Sequence, residues 1–370
     1  MAFSTSPPNS LKTLDEFSLH DLESIRLILR GGSVLDWHRL NLQSEDEVAA
    51  LAGIHELDLS VEQDRQYAQS IQDQAIQYLR RNFNFPIPKP VETASWTELV
   101  LLASRSGGHR QQCACTILKT MQIINHMAGR ELLFRLPVSD RDLFHLVEEK
   151  VYRVVGHMLS HGFPITEFIG GRKNLDSTYT KLLSKPESTA VAIYDKLRFR
   201  IVTQRRSDLL PVLLYLSERL FPFNYVVPKQ STNTIFHFRS FCEEHPHLKT
   251  LVPHFQGKED ELLAGIENRF SDPDYRTIQF VTDVPVRVPP HLLELAPPGS
   301  EPLGKVVYML CEIQLLDAET EAANERGRAN HKAYKQRQLE SVFRRLRLGA
   351  RKPLLGGEED PAKKPDEDLG

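Results

Sequence analysis

The sequence predicts an α+β protein, with an all-α helical N-terminal domain followed by a mixed β-sheet domain with flanking helices. Two observations lead to this. Across residues 14–161 apolar side chains recur at helical spacing almost without interruption. After a Gly/Pro break at 162–164 the pattern changes to short segments rich in β-branched and aromatic residues: ITEFIGG, YDKLRFRIVT, FNYVVP, RTIQFVTDVPVRVP and KVVYMLCEIQLL. One amphipathic helical stretch, 208–220, interrupts these segments, which is the strand-helix-strand order of a mixed sheet.

In chain order, residues 1–12 are Ser/Pro-rich and read as a disordered N-terminus. The helical domain spans 13–161. Its first helix carries Leu19, Leu22, Ile25, Leu27 and Ile28 and ends at Gly31-Gly32, a C-cap signal. A longer helix at 61–83 places Tyr67, Ile71, Ala75 and Tyr78 on one face, and FPIPKP at 85–90 is a turn. Segments 113–134 and 140–159 have the periodicity of buried helices. The sheet domain spans 162–348, with a polar, helical insertion at about 245–268 and a Pro-rich loop at 289–302. Residues 319–348 read as a charged helix, and 349–370 as a disordered charged tail.

At 370 residues the chain is long enough for two domains, and 41% hydrophobic with 26% charged residues is ordinary for a globular protein. A net charge of −3 argues against a general nucleic-acid or membrane-surface binder. No run approaches the ~18 apolar residues of a membrane span, and the opening MAFSTSPPNS lacks the pattern of a secretory signal. Cys113, Cys115, Cys242 and Cys311 do not form a zinc-binding spacing and read as reduced core thiols of a cytoplasmic protein.

The chemistry concentrates around IYDKLRFRIV. Asp195 enters a strand on which Lys196, Arg198 and Arg200 alternate with Leu197, Phe199 and Ile201. A carboxylate holds a cation and guanidinium forks hold phosphate oxygens, so this polar face suits a metal-bound polyphosphate. The plainer alternative is a solvated strand face with a surface ion pair. Upstream, RKNLDSTYTK follows a Gly-Gly turn, and its Arg172, Lys173, Ser177 and Lys181 suit a phosphate cradle. Downstream, a strand ending in Glu312 and Gln314 leads into the helix carrying Glu325, His331, Tyr334 and Lys335. Asp195 and Glu312 side by side in one sheet would bind Mg²⁺, the minimum for in-line phosphoryl transfer.

These blocks, in this order, resemble the synthetase domain of the RelA/SpoT family over about residues 165–340. Glu312, Gln314, Glu325, Gly327, Ala329, His331, Tyr334 and Lys335 match its last block without a gap. Asp195, Arg200, Ile201 and Val202 match the central block, and Lys173, Ser177 and Lys181 match the first. The resemblance implies a nucleotidyltransferase-like fold that transfers the β,γ-pyrophosphate of ATP to a ribose 3′-hydroxyl of GDP, GTP or another acceptor, making (p)ppGpp. It further implies that Asp195 and Glu312 are catalytic and hold Mg²⁺. Lys173, Ser177, Lys181 and Arg200 would grip the donor phosphates, with His331 and Lys335 contributing from the last helix. In the acceptor loop Pro228, Lys229 and Asn233 match. Thr234 and Ile235 stand where the family has Gly and Tyr, and two extra residues separate Lys229 from Asn233. Gly171 replaces an Arg that Arg172 would substitute, Arg198 replaces a Gly, and Leu316 and Asp317 replace an Arg-Thr pair.

Two other readings stay open. One is a catalytically silent nucleotide-binding sensor or interaction module, favoured by the altered acceptor loop. The other is a transferase acting on tRNA, with the basic run at 337–351 as an RNA contact. His20-Asp21 lacks the further ligands that a metal-dependent HD hydrolase needs.

Overall fold

The helices form where caps and apolar spacing direct them. The computed structural model describes residues 11–31, 42–105, 107–184, 196–255, 275–326 and 331–346. Helix α1 (Leu19–Arg30) starts with a Ser18/Asp21 capping box and ends at Gly31 in the left-handed region, φ 61°. Its buried Leu22, Ile25 and Ile28 form the stripe read from the sequence. Helices α2 (Glu45–Ile54), α3 (Glu62–Phe83), α4 (Lys89–Glu92), α5 (Trp96–Ser104), α6 (His109–Arg135) and α7 (Asp140–Ser160) follow. Three of these begin at serines that accept from the third helical N–H: Ser44, Ser95 and Ser139.

The sheet contains β1 (Ile165–Arg172), β2 (Leu197–Thr203), β3 (Thr232–Asn233), β4 (Ile278–Arg287) and β5 (Val306–Asp317), in the order β1-β2-β5-β4-β3. Among the described residues only the β2/β5 pair is parallel, so the sheet is mixed as expected. Between strands lie α8 (Leu175–Ser184), α9 (Leu209–Arg219), α10 (Phe238–Glu244), α11 (Pro246–Leu251) and α12 (Pro290–Leu293). Helices α13 (Ala318–Arg326) and α14 (His331–Arg345) follow β5. The charged stretch read as one helix over 319–348 is helical over Ala318–Arg326 and His331–Arg345, and residues 327–330 lie outside the described residues. The proposed insertion at 245–268 opens with α11, and residues 256–274 lie outside the described residues.

One strand expectation fails. FNYVVP is a short 3₁₀ turn, Phe223–Tyr225, closed by the Tyr225 N–H on the Pro222 carbonyl at 2.9 Å. Val226 then makes an isolated bridge to Thr282. Pro228 has no N–H to continue a ladder, so pairing resumes only at Thr232 opposite Gln279.

The chain divides into two compact units: 1–173 with 194–267 and 276–322, and 174–193 with 268–275 and 323–370. The first unit crosses the expected boundary at 161/162. The reason is a shared core: Leu22 and Ile25 of α1, Val147 and Val151 of α7 and the strand residues Phe199, Phe280 and Ile313 belong to one buried cluster. Helix α9 is buried on most of its circumference rather than amphipathic, with Leu209 through Ser217 all buried. Each fully buried aliphatic or aromatic side chain in this cluster contributes about 1.5–3 kcal/mol of transfer free energy. A second cluster joins α2, α3, α5 and the first half of α6. Helix α6 approaches β5 closely, since a Cβ on Gly129 would stand 2.6 Å from the Tyr308 ring. The second unit contains α8 and α14 packed together, with Arg345 Nη1 donating to the Leu183 carbonyl at 2.9 Å.

All four cysteines are buried. Among the described residues no helix is long and apolar enough to cross a membrane.

Candidate functional site

Strand register builds the site. In the parallel β2/β5 pair Arg198 stands opposite Glu312 and Arg200 opposite Gln314. Strand β4 sets Gln279 beside Gln314, and β3 sets Thr232 beside Gln279. Directly paired residues share a face, so Arg200, Gln314, Gln279 and Thr232 form one polar row, with Arg198 and Glu312 in the next. The alternation in LRFRI makes this possible: Leu197, Phe199 and Ile201 go to the core at 1% exposure or less, which turns both arginines to the other face.

The polar side chains hold one another. Glu312 is buried, and its Oε1 lies 2.7 Å from Arg198 Nε and accepts from Gln314 Nε2 at 2.9 Å. Gln314 also donates to Gln279 Oε1 at 3.1 Å and accepts from Arg200 Nε at 3.3 Å. Arg200 Nη1 is 3.5 Å from Glu321 Oε1 on α13. That helix is started by Asp317, whose carboxylate accepts from the Thr320 N–H at 3.0 Å and from its hydroxyl at 2.6 Å. The guanidiniums are therefore oriented by a connected network rather than left to rotate.

At the other end of the same face α6 covers the sheet. Asp283, one same-face position from Val281, meets His126 Nε2 at 2.9 Å, and Asn125 Nδ2 donates to the Tyr308 hydroxyl at 2.6 Å. Asp283 pairs with Leu310, so this closed end stands about 7 Å along the strand from the Glu312 row. The polar row is confined to the C-terminal half of β5.

The expected site residues do not all lie on this face. Glu312 and Arg200 share the polar face. Arg172 does not: it pairs with the core-face residue Leu197 and reaches back to α7, where Nε and Nη2 meet Glu148 at 2.9 and 2.8 Å over the Phe144 ring. Period-2 alternation forces this, because Gly171 holds the position opposite Arg198. Asn233 is also on the core-face row, paired with Ile278, and its Oδ1 accepts from the Ile235 and Phe236 N–H groups at 3.2 and 3.4 Å. It is a turn former, and Thr232 is the β3 residue on Glu312's face. Lys229 is exposed in the preceding loop at φ 63°. That loop is tied to α1 by the Ser231 hydroxyl, which donates to the Ile28 carbonyl at 2.8 Å. Lys173 is half-buried, its N–H bonded to the Lys196 carbonyl at 2.9 Å.

In the second unit, Ser177 and Lys181 lie one turn apart on α8, which starts at Asn174 through its Oδ1 on the Asp176 N–H at 2.8 Å. Lys335 is exposed on α14, and His331 opens that helix, its side chain lying outside the described residues. Asp195 also lies outside them.

Of the expected two-carboxylate Mg²⁺ site, Glu312 lies among the described residues and Asp195 outside them. Among the described residues no group of three or more His, Cys, Asp or Glu is placed to hold a metal. The Glu312 Oε1 is occupied by a guanidinium and an amide, and a divalent ion on this carboxylate would adjoin the Arg198 cation. Sequence reading undervalued Arg198, and missed Gln279, Thr232 and Glu321. The parity of LRFRI points to Arg198, whereas the other three become visible only with the register.

No family model matches the chain, and no curated protein matches it. Among solved structures it is similar to small alarmone synthetase 1 from Bacillus subtilis, at 15% identity and a TM-score of 0.28 over 56% of this chain and 87% of that chain. It is similar to small alarmone synthetase 2 from Bacillus subtilis, at 15% identity and a TM-score of 0.31 over 59% and 89%. A GTP pyrophosphokinase family protein from Streptococcus pneumoniae shares 12% identity over 56% and 84%, with a TM-score of 0.27.

Proposed function

We propose that this protein binds a nucleoside polyphosphate, with ATP as the first candidate, on the polar half-face of the sheet. The observation that supports this is the network in which Arg198 and Arg200 are held by Glu312, Gln314 and Glu321. Guanidiniums fixed this way present planar forks to phosphate oxygens with little rotamer entropy left to lose. Neutral Gln279 and Thr232 continue the row and suit the uncharged hydrogen-bonding edges of a ribose or base.

A second reading is transfer of the β,γ-pyrophosphate of ATP to the 3′-hydroxyl of GDP, GTP or a tRNA, as in RelA/SpoT-like synthetases. Glu312 favours it, since it is a buried carboxylate paired with Arg198 and on the same face as Arg200. In that reading Glu312 and Asp195 would hold Mg²⁺, which would supply charge neutralisation at the donor phosphates.

One experiment separates the two. Purified protein is incubated with γ-³²P-ATP and GDP, GTP, ADP, ATP or total tRNA, beside Glu312→Gln. A labelled product lost in the variant establishes transfer and names the acceptor class. ATP binding by calorimetry without product establishes the binding module. Neither binding nor product would sink both readings.

A further inference from the structure

The Pro-rich loop that leads into β5 walls a cleft that the polar row does not use. The cleft has a volume of about 390 Å³, within the range of small-molecule sites, and is lined from α3, α6 and the loop. Val306, at the start of β5, also lines it and stands roughly 20 Å along the strand from Glu312. The loop is tied down on both sides. The Tyr67 hydroxyl of α3 donates to the Leu303 carbonyl at 3.3 Å, and Arg135 Nη1 of α6 donates to the Gly299 carbonyl at 3.1 Å. At Gly304, φ 79°, a Cβ would stand 2.5 Å from the Tyr67 ring, so loop and helix already touch beside the cleft. A space whose walls are pinned in this way is preformed.

The lining divides by chemistry. Leu57, Leu132, Leu293 and Ala296 supply an apolar surface, and Asp64, Arg287, Lys305 and Glu301 supply charge. Asp64 is spent on Arg287: its Oδ1 and Oδ2 accept from Nη2 and Nη1 at 2.8 and 2.7 Å, and Oδ2 also accepts from the Asp58 N–H at 2.9 Å. Arg287 Nη1 donates as well to the Glu56 carbonyl at 2.8 Å. Lys305 has only a neutral partner, since its Nζ donates to Gln63 Oε1 at 2.6 Å, and an ammonium has two further protons to give. Glu301 is exposed, so water screens its charge, whereas Lys305 is half-buried. Two cations against one committed carboxylate leave one positive charge in a largely apolar cleft. A lone ammonium suits a single negative charge, and the guanidinium fork that would favour a phosphate dianion is already closed by Asp64. We propose that this cleft binds a small amphipathic carboxylate, with its charged end on Lys305 and its apolar body against Leu57, Leu132, Leu293 and Ala296. The site stands apart from the polar face and does not depend on nucleotide binding there.

Saturation-transfer NMR on the full chain tests this with hydrocinnamate, one carboxylate on an apolar body, beside hydrocinnamyl alcohol, the same body without the charge. The expected result is saturable binding of hydrocinnamate, with the alcohol weaker by about fivefold or more because it forgoes the charge-assisted bond to Lys305. Lys305→Met keeps the stem and removes the charge, so it should weaken hydrocinnamate by a similar factor and bring it level with the alcohol. Ala296→Trp should block both ligands by filling the cleft. No saturation transfer in wild type, or equal affinity for acid and alcohol, overturns the proposal without any variant. Hydrocinnamate binding that survives undiminished in Lys305→Met or in Ala296→Trp, with a melt like that of wild type, overturns it as well by placing the ligand elsewhere.

Discussion

Arg198 and Glu312 face each other across the parallel β2/β5 pair with Nε 2.7 Å from Oε1, yet one side chain is 39% exposed and the other 5%. This asymmetry has a thermodynamic consequence. Removing Glu312 leaves a guanidinium that water can reach, whereas removing Arg198 strips a buried carboxylate of its countercharge. Arg198→Ala should therefore cost about 3 kcal/mol and Glu312→Ala nearer 1 kcal/mol. Urea unfolding of the two variants reads the difference, and equal losses would mean that the pair is solvated on both sides.

The α6/β5 contact depends on Gly129. A Cβ there would meet the Tyr308 ring at 2.6 Å and the Val306 carbonyl at 2.7 Å, and Tyr308 is itself fully buried and bonded to Asn125. Gly129→Ala should lower stability by about 1–3 kcal/mol despite the better helix propensity of alanine. A thermal melt unchanged from wild type would show that the helix can move away at little cost.

His55 sets an acid limit. It is fully buried with its ring edge-on to Tyr225, and burial, with Lys150 adding repulsion, lowers its pKa from 6.5 to about 3. The unfolded chain binds that proton below pH 6.5 while the folded one does not until about pH 3. Stability is thus present above the unfolded value and falls as pH drops through this window, by about 2 kcal/mol between pH 7 and pH 5. His55→Gln should flatten that part of the stability profile. Parallel profiles would locate the acid sensitivity elsewhere.

Arg172 offers a stability test that separates it from the site. Its two-point contact with Glu148 over Phe144 ties β1 to α7. Being partly exposed, the pair should be worth only about 1 kcal/mol in a double-mutant cycle with Glu148→Ala. Additive losses would show that it contributes nothing.

The contrast between Arg172 and Arg200 also shows how much was legible in the sequence. The helices of 14–161 were readable because apolar stripes are local signals, as Leu22, Ile25 and Ile28 illustrate. Four strands were readable from their β-branched and aromatic runs, including the two that carry Arg200 and Glu312. The FNYVVP error came from apolar content outweighing two flanking prolines. Arg172 was assigned to the phosphate cradle by proximity in sequence, but adjacent strand residues point to opposite faces, and only the β1/β2 register shows which is which. Asn233, matched through the resemblance, pairs with Ile278, one residue from the Thr232 that shares Glu312's face. Gln279 and Thr232 carry no motif of their own and join the site solely through pairing across three strands.

The most direct test of the polyphosphate face is ATP calorimetry on wild type, Arg200→Ala and Arg172→Ala under one buffer. Arg200 lies on the Glu312 face and is oriented by Gln314, whereas Arg172 lies on the opposite face against α7. The expected result is a loss of about tenfold to a hundredfold in affinity for Arg200→Ala, from one charge-assisted contact, and less than about twofold for Arg172→Ala. Equal losses in both variants, or undiminished binding in Arg200→Ala, would contradict the placement of the nucleotide phosphates on this face.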